Sequence, residues 1–252
     1  MGVVQIIGIE RLPTVKKGDN LAELICNAAK SQGISIQDGD ILVITHVVVS
    51  RAEGSVVNLD KVVPSKFAET IARRYEKDPA LVEVVLQESR SIRRMGDGKL
   101  ITETKHGFVC ANSGVDQSNV PGERIVALLP EDPDHSASEI RGQIRKLTGC
   151  DVAVIISDTH GRPLRKGEIN VAIGVAGIEA LRDRRGERDL FGYVLTVKQT
   201  AIVDELASAA ELAIGQANEG IPVAIIRGYD YLKSENARTT DLIRPREEDL
   251  FL

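Results

Sequence analysis

The stretch VIISDTHGRP, residues 154–163, sets how the rest of the chain is read. With residues 151–153 ahead of it, DVAVIISD (151–158) is a run of β-branched and small apolar residues that predicts a strand covered on both faces. The run then empties into Asp158, Thr159, His160, Gly161 and Arg162, which bring a carboxylate, a hydroxyl, an imidazole and a guanidinium to one strand end. Chains that alternate strands and helices hold ligands at the carboxyl ends of their strands. Two other stretches, VITHVVVSR (43–51) and AIIRGYD (224–230), have the same form.

Outward from these three, strand-like and helix-like segments alternate. Strands are predicted at 3–9, 38–50, 100–112, 123–130, 151–158 and 221–228. A helix over 18–33 is signalled by Asn20 as cap, Glu23 three residues on and Gly33 past its end. Further helices are expected at 63–78, capped by Ser65, and at 78–95, with Asp78 as cap and Pro79 in the first turn. Two more are read at 137–149, ending at Gly149, and at 201–220. AIGVAG (172–177) reads as close packing, and the charged tail from Ala237 as a short helix with an extended end. The expected class is α+β, mixed, with several sheets, as a single domain over 1–252.

Composition narrows the function classes. The 252 residues are 42% hydrophobic and 27% charged, within the ordinary range for a globular domain. A net charge of −5, no Trp and only 3% aromatics argue against nucleic acid as a partner. Arg141, Arg145 and Lys146 form a local basic group that suits one anion, although such groups are more often a solvated helix face. Cys26, Cys110 and Cys150 carry no C-x-x-C spacing, so neither a disulfide framework nor a thiolate zinc motif is signalled. The start, MGVVQIIGIERLP, lacks a basic region and a long apolar run, Ile6 stands where a myristoylation signal wants Ser or Thr, and ILVITHVVV (41–49) is too short to span a bilayer. These features predict a cytoplasmic protein with no membrane partner.

Neither a P-loop nor a dinucleotide-binding glycine fingerprint is present, HExxH is absent, and His46, His106, His135 and His160 are scattered. Two aspartates stand out. Asp116 lies in VCANSGVDQSNVPGE, a loop dense in small polar residues, and Asp158 ends its strand. Strand-end carboxylates among hydroxyl and amide groups are suited to hold Mg2+ or Mn2+, which can clamp a polyphosphate with Thr159 adding a hydroxyl. Arg162, Arg165 and Lys166 can then face phosphate oxygens. The same aspartates equally suit capping of their own turns.

Several ordered stretches are similar to the coenzyme F-420 γ-glutamyl ligases: ERLPTVKKGDNLAELI, DGDILVITHVVVSRAEG, CANSGVDQSNV, SDTHGRPLRKGEINVAIGVAG, DLFGY and GIPVAIIRG. The resemblance implies a GTP-dependent ligase that adds L-glutamate to a deazaflavin coenzyme precursor through an acyl phosphate, with further γ-linked additions. It implies two Mg2+ or Mn2+ per site, a monovalent cation as a further candidate, and an intertwined homodimer in stand-alone form, without an appended flavin-binding domain. Matched residue by residue, Asp116 and Asp158 are the catalytic and metal-holding acids, and Thr159 and Gln216 complete the metal set. Nucleotide contacts are implied for Glu10, Arg11, Leu12 and Pro13, for Thr45, His46, Ser50 and Arg51, and for Asn119. The turn Ile214, Gly215, Gln216, Ala217, Asn218, Glu219, Gly220 and Ile221 matches the family segment that closes over the nucleotide. Two positions depart from the pattern. Gln216 stands where an acid is expected, with Glu219 as the alternative, and Arg11 stands where glycine is usual. A two-metal phosphohydrolase and a GTP-binding module without turnover remain the alternatives at this point.

Overall fold

The computed structural model describes residues 2–96 and 98–249. The chain opens with β1 (Gln5–Gly8) and α1 (Leu21–Ser31), whose cap is Asn20, its side chain accepting from the Glu23 amide at 3.2 Å. Next comes β2 (Ile41–Thr45), which ends sooner than expected. At His46 the chain turns into α2 (His46–Glu53), closed by Gly54 in the left-handed region at φ 82°. The stretch HVVVS (46–50) was expected to continue the strand. Its preference for sheet is a preference for packing, and the helix buries His46, Val47, Val48, Val49 and Ser50 together.

There follow β3 (Val56–Asn58), α3 (Lys66–Tyr75), α4 (Pro79–Gln87) and β4 (Ser89–Gly96). The single helix expected over 78–95 is therefore a helix and a strand. Past Gln87 the apolar residues give way to SRSIRRMG, which pairs with β5 (Lys99–Thr104). The segment read as one strand over 100–112 is a hairpin of β5 and β6 (Val109–Ala111). After β7 (Ile125–Ala127), α5 (Pro133–Thr148) starts earlier than predicted because Asp132 caps it through the His135 amide. The chain continues through β8 (Ala153–Arg162), β9 (Arg165–Ala176), β10 (Arg182–Asp183) and β11 (Gln199–Thr200). It closes with α6 (Ile202–Ile214), shorter than expected, and β12 (Val223–Arg227). The tail forms two 3-10 turns, at Thr239–Leu242 and Arg246–Glu248, and residues 250–252 of its expected extended end lie outside the described residues.

The largest sheet has the order β1-β12-β2-β8-β9. Strand alternation sends Leu42, Ile44, Val154 and Ile156 to one core with Ile25 of α1 and Ile144 of α5. Ile41, Val43, Ala153 and Ile155 go to the other, against Leu206 and Ala210 of α6. The expected cover on both faces is present. Gly174 and Gly177 serve close packing as read: a Cβ on Gly174 would lie 2.4 Å from the Pro133 carbonyl oxygen.

Within this sheet only β2 and β8 run parallel, with Thr45 opposite Ser157. β2 stops there, but β8 does not: the strand expected to end at Asp158 runs on to Arg162, because residues 158–162 keep pairing with β9, so Asp158 and Thr159 lie on β8 just past the end of β2. β12 runs antiparallel to β2, so its polar end at 227–230 leaves from the opposite edge, and the third strand end read in the sequence does not join the other two. A smaller region carries the β3-β7 pair and the β4-β5-β6 sheet, packed on α3 and α4 through Leu59, Val84, Val126, Ile71 and Leu100. Residues 182–200 form a two-stranded arm through the β10-β11 pair and an Arg188–Val194 bridge.

Candidate active site

The end of β2 and the adjoining middle of β8 form the floor of a cleft of about 250 Å³. Asp158 is 9% exposed, and two histidines grip its two carboxylate oxygens: His46 Nε2 at 3.3 Å from Oδ1 and His160 Nε2 at 3.0 Å from Oδ2. His46 arrives because β2 ends one residue earlier; His160 arrives because residues i and i+2 of a strand share a face. Burial works against a charge on Asp158, but the two imidazoles outweigh it and hold the carboxyl well below the usual carboxylate range. Burial likewise opposes charge on His160, yet Asp158 and then the Cys110 thiol push its pKa up to about 10.

Beside Asp158, three side chains share one network. Thr159 Oγ1 donates to Asn170 Oδ1 at 2.8 Å and lies 3.1 Å from Gln216 Oε1, while Gln216 Nε2 donates to Asn170 Oδ1 at 3.1 Å. Asn170 is the cross-strand partner of Thr159 on β9 and is 3% exposed. It was not singled out in the sequence, although an Asn inside the apolar run INVAIGVA was a readable signal. Glu219 turns away from this network and accepts from the Ala217 amide at 2.8 Å within its own turn.

The opposite wall is the loop after β6. Asn112, Ser113 and Gly114 all take left-handed φ values, 52°, 54° and 68°. Ser113 pays for this conformation with two hydroxyl contacts at 2.7 Å, to Ser89 and Thr102. Asp116 is then fixed by a backbone bridge to Ala127. Its carboxylate accepts from the Ser118 amide at 2.7 Å and the Ser118 hydroxyl at 2.9 Å. Asp116 thus caps its own turn, whereas Asp158 accepts from the next amide, Thr159, at 2.7 Å within strand β8 and caps no turn; both line the same cleft.

Most residues picked from the sequence meet here. Leu12, Pro13, Thr45, His46, Arg51, Asp116, Asn119, Asp158 and Thr159 line the cleft, with Ile214, Gly215, Gln216, Ala217, Glu219, Gly220 and Ile221. Arg51 ties two of its walls, donating to the carbonyl oxygens of Val15 at 2.8 Å and Asn119 at 3.3 Å. Glu10, Arg11, Ser50 and Asn218 are not among the lining residues. Ser50 is fully buried within α2, and Arg11 is exposed at φ 57°, the left-handed region that glycine adopts without strain. Arg162, Arg165 and Lys166 lie further along the β8-β9 hairpin, outside the lining set.

The cleft lining includes a group of hard oxygens: the Asp116 and Asp158 carboxylates, the Thr159 hydroxyl and the amide carbonyls of Asn170 and Gln216. That set suits Mg2+ or Mn2+. Thr45 makes no side-chain cap for α2, and residues 45–48 line the cleft, so the helix start presents its first amides there, an arrangement that favours a phosphate.

A family model described as F420-0:gamma-glutamyl ligase matches residues 9–228. The chain belongs to this family. Among curated members, the coenzyme F420:L-glutamate ligase of Methanocaldococcus jannaschii is 52% identical over 250 residues, covering 98% of this chain and 96% of the relative. The protein of the same name from Methanothermobacter thermautotrophicus is 48% identical, covering 98% of each chain. The Archaeoglobus fulgidus member is 39% identical, covering 98% of this chain and 96% of its own. No helix among the described residues is long and apolar enough to cross a membrane.

Proposed function

We propose that the protein is a GTP-dependent ligase that joins L-glutamate to a deazaflavin coenzyme precursor. One observation carries the reading: β2 ends at Thr45 opposite Ser157 of β8, so that Thr45, His46, Asp158 and Thr159 face Asp116, Asn119 and Gln216 across one cleft. The relatives' names supply the substrate class.

In this reading the terminal phosphate of GTP passes to a carboxylate of the acceptor. The amine of glutamate then attacks the acyl carbon, an amide forms and phosphate leaves. A carboxylate is a poor electrophile until one of its oxygens becomes such a leaving group. Asp116, Asp158, Thr159 and Gln216 would hold the cations, which when bound neutralise the charge that crowds the transferring phosphoryl group. Gln216 fits the set better than Glu219, whose carboxylate is committed to its own turn. His46 and His160 keep Asp158 ionised and fixed in direction. The first amides of α2 receive phosphate oxygens, and Arg51 holds the loops at 15 and 119 in place around the nucleotide.

The homodimer belongs to the same proposal. The arm at 182–200 exposes Leu190, Phe191, Val197 and Tyr193 at 97%, 95%, 86% and 64%. A two-stranded hairpin with so much bare apolar surface needs a partner, and a second copy of the chain fits it.

The test is mass spectrometry of the protein incubated with the unglutamylated precursor, glutamate, Mn2+ and GTP, with ATP in parallel. Glutamate additions that require GTP are expected, and Asp158→Ala should abolish them. Phosphate release without mass gain would make the protein a phosphohydrolase. GTP binding with neither product would make it a binding module.

A further inference from the structure

We propose that Cys110, Asp158 and His160 form a site for one thiophilic divalent cation of the zinc or cobalt class, distinct in its donors from the oxygen-lined set above but sharing Asp158 with it. A thiol sulfur, a carboxylate oxygen and an imidazole nitrogen from these residues all lie within 4.8 Å of one another. The topology explains the meeting. Asp158 and His160 stand two apart on one face of β8, and Cys110 comes from β6 of the three-stranded sheet.

The donor set decides the metal. Sulfur, nitrogen and oxygen together favour a borderline cation such as Zn2+ over Mg2+, which prefers six oxygens. Three protein ligands with a fourth position for water or an anion is the pattern of an open tetrahedral site. With bonds of 2.0–2.3 Å, tetrahedral ligand atoms sit about 3.5 Å apart, so the cluster need contract by only about 1 Å. The side chains are enclosed: Cys110 is 6% exposed and the Asp158 and His160 side chains 10% and 13%. His46 grips Asp158 from the side away from His160, as an outer-shell partner orients a ligating carboxylate. All three cysteines are free thiols, so Cys110 is not committed to a disulfide. Because Asp158 is shared, a cation held here takes that carboxylate from the Mg2+ or Mn2+ set. This consequence rests on the ligase reading; the binding itself does not.

The test titrates the nucleotide-free, full-length protein with Co2+ alone and reads absorbance between about 300 and 400 nm, where thiolate–cobalt charge transfer appears. A band that saturates at one equivalent and is bleached by Zn2+ is expected. It should vanish in Cys110→Ser, persist in Cys26→Ser/Cys150→Ser, and need at least tenfold more Co2+ in His160→Gln. Thermal melting establishes that each variant is folded. If Cys110→Ser fails to fold, the double variant, with Cys110 as its only thiol, carries the test. No band in that folded double variant, or a band that survives Cys110→Ser, overturns the site irrespective of whether the protein ligates glutamate.

Discussion

Asn170 is 3% exposed and its Oδ1 accepts from both Thr159 and Gln216, so one buried amide sets the position of two cleft side chains. Replacing it with Ala leaves both donors without their shared acceptor, at a cost of about 1–2 kcal/mol in stability. Thr159 and Gln216 would then be free to turn, and the Mn2+ concentration for half-maximal ligation should rise about tenfold. Asn170→Asp keeps an acceptor at the same place and should recover most of the Mn2+ response. A metal titration of the rate on the three proteins checks this, and an unchanged half-saturation in Asn170→Ala would remove the network from metal binding. The histidines make a parallel point. In the sequence they are four scattered residues; folded, His46 and His160 take opposite oxygens of one carboxylate.

At the scale of elements, α5 is tied to the start of β8 and to the C-terminal segment by Arg141. Its guanidinium donates to the Val152 carbonyl oxygen at 2.8 Å, to Asp151 at 2.8 Å and to both oxygens of Glu235 at 2.7 and 2.9 Å. It was expected to be part of a solvated helix face, yet its side chain is 11% exposed. The Lys233 hydrogen bond, and after it Arg141, lower the Asp151 pKa; the Arg141 hydrogen bond lowers that of Glu235. An acid whose folded pKa lies below its unfolded one adds stability that is full above the unfolded value and is lost as pH falls through the folded value. Arg141→Met should therefore lose about 2 kcal/mol near pH 7, where the Val152 carbonyl also loses its donor. Glu235 is largely exposed, which keeps its share small. Below about pH 4 the difference should narrow without vanishing, since the wild type is losing the same ion pairs while the Val152 carbonyl of the variant lacks its donor at every pH. Urea unfolding at pH 7 and pH 3.5 reads both values; a constant difference would show that the charges contribute nothing.

For the whole molecule, the question is what covers the 182–200 arm. Its apolar residues crowd the tip, where Asp189 holds the turn by accepting from the Phe191 and Tyr193 amides at 2.8 and 2.9 Å. A folded turn that presents Leu190 and Phe191 almost fully to solvent is built for contact rather than for its own core. In sedimentation experiments the wild type should run at twice the chain mass of 27.3 kDa. Leu190→Asp/Phe191→Asp should shift it to the single-chain mass without lowering the melting point of the separated chain. A wild type that sediments as one chain would leave the arm for some other partner.

The sequence by itself determined which residues could matter and most of the local structure: the caps at Asn20, Ser65 and Asp78, the doubly covered strand at 151–158, and the ordered motifs of the family. Those signals are local, since a cap acts through the next three amides and a buried strand is marked by its own composition. Only the tertiary structure decided where β2 stops and α2 begins, because strand and helix bury HVVV equally well until the neighbouring strands are placed. It decided that the polar end of β12 lies on the far edge, since strand direction depends on pairing and not on composition. It also decided that Asn170 of the neighbouring strand β9 and Cys110 of β6 in another sheet stand beside Asp158 and Thr159, contacts set by strand register and by the packing of one sheet on another.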